Sequence, residues 1–159
     1  MTSKSDFPDD EWARVTRAPL VAGMAIMLAD PGGPIEATKE TMASIKTATN
    51  PPTREQLVTE VALDVQTEVQ AKRNPLKGFR PDGTSSPGDQ VLAELTAVQE
   101  IVAARATDEE AAAFGRWLVA AAQAAADAAK EGGFMGIGAQ RVSEREQEML
   151  ARVRKAVSG

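Results

Sequence analysis

The 159-residue chain contains no cysteine, no histidine and no tyrosine. Without cysteine there is no disulfide. Without thiolate or imidazole ligands there is no ordinary structural zinc site, no haem held by His or Cys, and no iron–sulfur cluster. The same absences remove Cys- or His-based nucleophile pairs and the Ser-His-Asp triad. A di-iron bundle would lack its usual Glu-x-x-His ligands. Carboxylates, Lys, Ser, Thr, Arg and backbone amides remain for catalysis. Since His is the commonest general acid–base residue and no catalytic motif is present, the chain reads as a non-enzyme without a cofactor.

Aromatic residues are also scarce, at 4%, and the net charge is −5 with the basic residues scattered along the chain. Nucleic-acid binding calls for a basic stripe and usually for stacking aromatics, so no nucleic-acid partner is expected. Long hydrophobic runs are missing too. The longest, from Ala18 to Ala29, is about half of the roughly 20 residues that a membrane span needs. Arg14 and Arg17 before it could pass for the basic start of a signal peptide. Asp6, Asp9, Asp10 and Glu11 precede it, however, and no clean small-x-small cleavage site follows. A cytoplasmic protein with no membrane partner is expected.

What the chain has in abundance is alanine, with apolar residues recurring at helical spacing between Pro, Gly and capping residues. The pattern predicts an all-α bundle of about six helical segments and no sheet, in a single domain over 1–159. Residues 1–6 are expected to be disordered. The first helix starts near Pro8, with Asp6 as its cap, and should kink or restart at Pro19. The second runs from Ile35 to Ala48, with Ile35, Met42 and Ile45 facing inward. Thr53 and Gln56 form a capping box for a third helix to about Lys72, whose core face is Leu57, Val58, Val61, Val65 and Val69. Residues 74–88 form a long loop, pinned by Leu76 and Phe79. Ser86-Pro87 opens a fourth helix with the stripe Val91, Leu92, Leu95, Val98 and Val102. Thr107 with Glu110, and Ser143 with Glu146, are two further capping boxes that open the fifth and sixth helices. The fifth is mostly Ala, Phe114, Trp117, Leu118 and Val119, and should be largely buried. Trp12, Phe79, Phe114 and Trp117 read as core anchors.

Three groups of residues invite a functional reading. The stretch 131–146 interleaves glycines with Phe134, Met135 and Ile137 ahead of a helix start. It lacks the strand and the Gly-Lys-Ser/Thr of a phosphate loop. Free amides at the helix start could still hold a small ligand, with Gly133, Phe134, Gly136, Gly138, Arg141 and Ser143 as the candidate residues. The competing reading makes this stretch a helix cap and connector whose apolar residues plug the core. Glu60, Asp64 and Glu68 stand at successive i, i+4 positions, where like charges repel. They are candidate metal ligands or, by the plainer reading, a face paired with Arg residues of another helix. Asp30, before Pro31, reads as a turn former rather than a catalytic acid.

The residues Lys130 through Gly138 (Lys-Glu-Gly-Gly-Phe-Met-Gly-Ile-Gly) and Val142 through Glu146 resemble the C-terminal motif of an uncharacterised bacterial all-helical family, a domain of unknown function. Ala29 to Gly33 is similar to that family's earlier part. The resemblance implies the helical fold and supplies no reaction.

The expected function is therefore a helical bundle acting through protein contacts and self-associating, as a dimer. Its support is the run from Leu20 to Leu28, apolar on every side. The alternative is a module binding a small apolar or anionic ligand near 132–141. A carboxylate-dependent metal enzyme comes third.

Overall fold

The computed structural model describes residues 1–31, 33–130 and 142–158. Among them are six helices and no strand: α1 (Asp9–Ala29), α2 (Pro34–Thr49), α3 (Gln56–Gln70), α4 (Pro87–Arg105), α5 (Asp108–Lys130) and α6 (Glu144–Val157). The fold is all-α.

The bundle is organised around α1 and α5, each of which packs against the other five helices. On α5 the buried side chains are chiefly alanines, joined by Phe114, Trp117 and Leu118. Small residues let the neighbouring backbones come close, and the two large aromatics fill what is left. They meet edge-on, with ring centroids 6.0 Å apart, an arrangement aromatic pairs favour. The Trp117 indole Nε1 also donates to the Thr47 carbonyl (2.9 Å), which ties α5 to α2.

Of the kink or restart expected at Pro19, the restart does not occur: α1 is one continuous helix with Pro19 inside it. Proline costs a helix interior about 3 kcal/mol. Here Trp12, Val15 and Ala18 are buried ahead of it, and Leu20, Val21, Ala22, Ala25 and Ile26 after it. Packing on both sides outweighs the local penalty. The cap is also displaced: Pro8 occupies that position, while the Asp6 carboxylate accepts from Ser3 N (2.8 Å) within a short 3-10 turn at Lys4–Asp6. In the segment 1–6, expected to be disordered, Thr2 is hydrogen-bonded to Glu110 of α5 and Lys4 to Glu60 and Asp64 of α3.

Ser86 and Ser143 cap α4 and α6, each hydroxyl accepting a backbone N–H three residues on, at 3.2 Å. Thr107 and Glu110 form a reciprocal box at α5. The box expected at α3 is absent. Residues Thr53–Glu55 stay outside the helix, which begins at Gln56, and the Thr53 hydroxyl is buried without a described partner. Gln56 turns instead to Glu60 (3.2 Å). Leu57, Val58, Val61 and Val65 are buried as the pattern requires, with Val69 at the margin. In the long connection before α4, Leu76 and Phe79 pack against the core.

Candidate functional site

Helix α2 departs furthest from the expected pattern. Ile35 and Met42, expected inside, are 70% and 65% exposed, and Ile45 is only partly buried. Glu40, Ser44 and Ala48 occupy the inner face. The cause lies on α1. A Cβ built at Gly23 would stand 2.0 Å from Ser44 Oγ, so the two helices cross too closely for a large side chain. The Ser44 hydroxyl is satisfied within its own helix by the Glu40 carbonyl (2.9 Å). A crossing of this kind selects small residues at the contact, and the larger apolar ones of α2 are left on the outside.

Four residues before Ser44, the same face carries Glu40, only 2% exposed. Burial, followed by the charges of Glu146, Glu36 and Asp30, pushes its carboxyl up to about 7 from an ordinary 4.5. Glu146 belongs to the first turn of α6 and is itself buried. Burial raises its carboxyl as well, hydrogen bonding with Ser143 opposes the rise, and Asp30 adds to it. Its Oε2 has no hydrogen-bond partner among the described residues. Neighbouring carboxylates in a desolvated place do not readily ionise together, so the pair favours holding a proton near neutrality. Perturbed carboxyls of this type mark functional sites more often than chance would place them there.

Of the expected ligand-binding residues, Ser143 caps α6 beside this acid pair. Gly133, Phe134, Gly136, Gly138 and Arg141 lie outside the described residues. The local sequence of α2 carries one faint signal of a buried acid, Glu40 four residues before a serine on a helix with few large apolar residues, and none that it meets Glu146.

The structure does not bring Glu60, Asp64 and Glu68 together as one site. Glu60 accepts from the backbone N of Lys4. Asp64 accepts from Lys4 Nζ (2.9 Å) and from the Trp12 indole (2.7 Å). Glu68 forms a two-pronged ion pair with Arg73 (2.9 and 3.0 Å), just past the end of its own helix. Their partners are thus the N-terminal turn, Trp12 of α1, Gln56 of α3 itself and Arg73 after α3, rather than Arg residues of another helix. Among the described residues, no group of three acidic side chains is placed to hold a metal ion. Asp30 follows the last residue of α1, its backbone N bonded to the Ile26 carbonyl (3.3 Å), and contributes its charge to the acid pair.

The apolar run Leu20–Leu28 lies against the protein's own core. Leu20, Val21, Ala22, Ala25 and Ile26 are buried within one chain, and Met24 and Leu28 pack against them. No helix among the described residues is long and apolar enough to cross a membrane. No protein-family model, curated protein or solved structure matches the chain.

Proposed function

We propose that this protein is a non-enzymatic helical bundle that acts through protein contacts and self-associates through the outer face of α2. The observation that carries this reading is the inversion of α2, which buries a glutamate and a serine while exposing Ile35 and Met42. These two lie seven residues apart and so share a helix face. Leu63, on the neighbouring α3, is a further exposed large apolar residue. The run Leu20–Leu28 no longer supports association, since its apolar surface is used internally. Lys39 and Lys46 are exposed on the same helix, and a chain of net charge −5 offers a second copy acidic surface to meet them.

Light scattering coupled to size exclusion tests this reading. The native chain is expected to run as a dimer, and the double variant Ile35→Gln, Met42→Gln as a monomer of unchanged helicity. A native chain that stays monomeric at about 100 μM, a concentration at which even weak complexes form, would remove it.

A second reading is favoured by one specific observation. Glu146, in the first turn of α6 and close in sequence to residues 131–141, is paired with the buried Glu40 of α2, which supports a small-ligand site at this pair. An acid pair that shares a proton beside Asp30 still carries negative charge and open acceptor oxygens, which favours a neutral or cationic hydrogen-bond donor over the anion first expected from the helix start. Thermal-shift screening of small amines against neutral apolar compounds tests it. Stabilisation that Glu40→Gln abolishes is the expected result, and an unaltered melting curve with every compound would count against it.

A further inference from the structure

On the far side of α5, the last turn of α6 lies across α4 and α5 and borders a groove of about 620 Å³. Small-molecule sites typically enclose about 300–1,000 Å³. Its floor is built of small residues, among them Ala103, Ala112 and Gly115. Gly115 is required by the crossing, because a Cβ there would stand 2.7 Å from the Val157 carbonyl oxygen. Gln99 of α4 also lines the groove and is only 6% exposed. Its Nε2 donates to the Ala111 carbonyl (2.9 Å), while its Oε1 has no partner among the described residues. Buried acceptors in that state are rare and gain from any donor that reaches them.

Arg116 and Arg154 stand at the rim. Neither takes part in an ion pair among the described residues, where every salt bridge uses other cations. Asp108 is the carboxylate among the described lining residues. Among the described lining residues, two guanidinium groups and one carboxylate leave a single positive charge. An apolar floor, a buried acceptor without a described partner and a net positive charge among the described lining residues together describe one ligand chemistry.

We propose that this groove binds a small organic acid that also carries a hydrogen-bond donor. Its carboxylate meets Arg116 and Arg154, its apolar body covers Ala103 and Ala112, and its donor reaches Gln99 Oε1. Guanidinium–carboxylate bonds are charge-assisted and well matched in shape, which gives the acid its advantage over a neutral analogue.

Titration of the full chain with 4-hydroxyphenylacetate, followed by isothermal calorimetry and NMR, tests the proposal. Two analogues separate its parts: the methyl ester lacks the charge, and 4-methoxyphenylacetate lacks the donor. The acid is expected to bind saturably with a Kd of about 1 mM or tighter, and each analogue about tenfold more weakly. The double variant Arg116→Gln, Arg154→Gln should lose about tenfold in affinity for the acid alone. Ala112→Trp, at an exposed position that fills the groove without entering the core, should abolish binding with helicity unchanged. Absence of saturable binding at about 10 mM acid, or an affinity unmoved by either variant, would overturn the proposal.

Discussion

Glu110 and Glu146 stand at the same place in the same motif, each three residues after a helix-capping hydroxyl, and each is buried. Their electrostatic fates are opposite. The Glu110 carboxylate accepts from Thr2 N (2.9 Å), from the Thr2 hydroxyl and from Thr107 N (3.1 Å). These bonds, led by the Thr2 hydroxyl, hold its carboxyl below the usual range despite burial. Glu146 keeps an oxygen without a described partner and lies near Asp30 and Glu40, so burial raises its carboxyl. The difference teaches that a capping box fixes where a helix begins and leaves its charge state to whatever packs there. At α5 that is a threonine 108 positions away in sequence. At α6 it is another acid.

Breaking the satisfied member has the largest expected effect. Glu110→Ala strands the Thr2 and Thr107 donors and should destabilise the protein by about 3 kcal/mol at pH 7, read by urea denaturation. Neutralising the unsatisfied pair should do the reverse. Glu40→Gln is expected to stabilise by about 2 kcal/mol at pH 8, with the gain disappearing by about pH 5, where the native carboxyl is already protonated.

The sign follows from the direction of each shift. Glu40 binds its proton more tightly in the folded chain, so its contribution to stability falls as pH rises from 4.5 to about 7. Glu110 is shifted down, so its contribution is intact above the ordinary carboxyl range and is lost as pH drops through its lowered value. Melting temperatures measured across pH in the native chain, in Glu40→Gln and in Glu110→Ala should separate the two slopes. Glu146→Gln should also stabilise at pH 8, by less than Glu40→Gln does, and by less still when Glu40→Gln is already present, because the two acids raise one another's cost. The smallest effect sharpens the other side. Thr2→Val removes one of three donors to Glu110 and should cost about 1 kcal/mol, while moving the acid limb of the stability profile toward higher pH.

Much of this fold was legible in the sequence because its signals were local. The stripe on α4, the serine caps of α4 and α6, and the Thr107–Glu110 box involve residues three or four apart. What was not legible depended on contacts across the bundle. Large apolar residues usually point inward, and that rule sent Ile35 and Met42 to the core. The Gly23–Ser44 crossing reverses it, since the distance between two backbones decides which side chain fits. Pro19 was expected to kink or restart the helix because its cost is local, whereas the packing that keeps α1 continuous comes from several helices. Thr53 has a capping residue's spacing, yet the helix starts after it. The acid pair joins residues 40 and 146, a proximity that no local pattern encodes. The groove beside Gln99 likewise needs three helices to exist.

The hydrogen bond from the Trp117 indole to the Thr47 carbonyl has a consequence for how the bundle comes apart. Helix α2 turns no large apolar side chain fully inward and buries the ionisable Glu40 in its place, so it is expected to form the first cooperative unit to open. Trp117 is fully buried beneath it, and the other tryptophan, Trp12, lies against α3 instead. Undocking of α2 would wet one indole and spare the other. A red shift in part of the fluorescence, ahead of global melting and together with early amide exchange across residues 34–49, is the signature that the molecule carries for its own first step of unfolding.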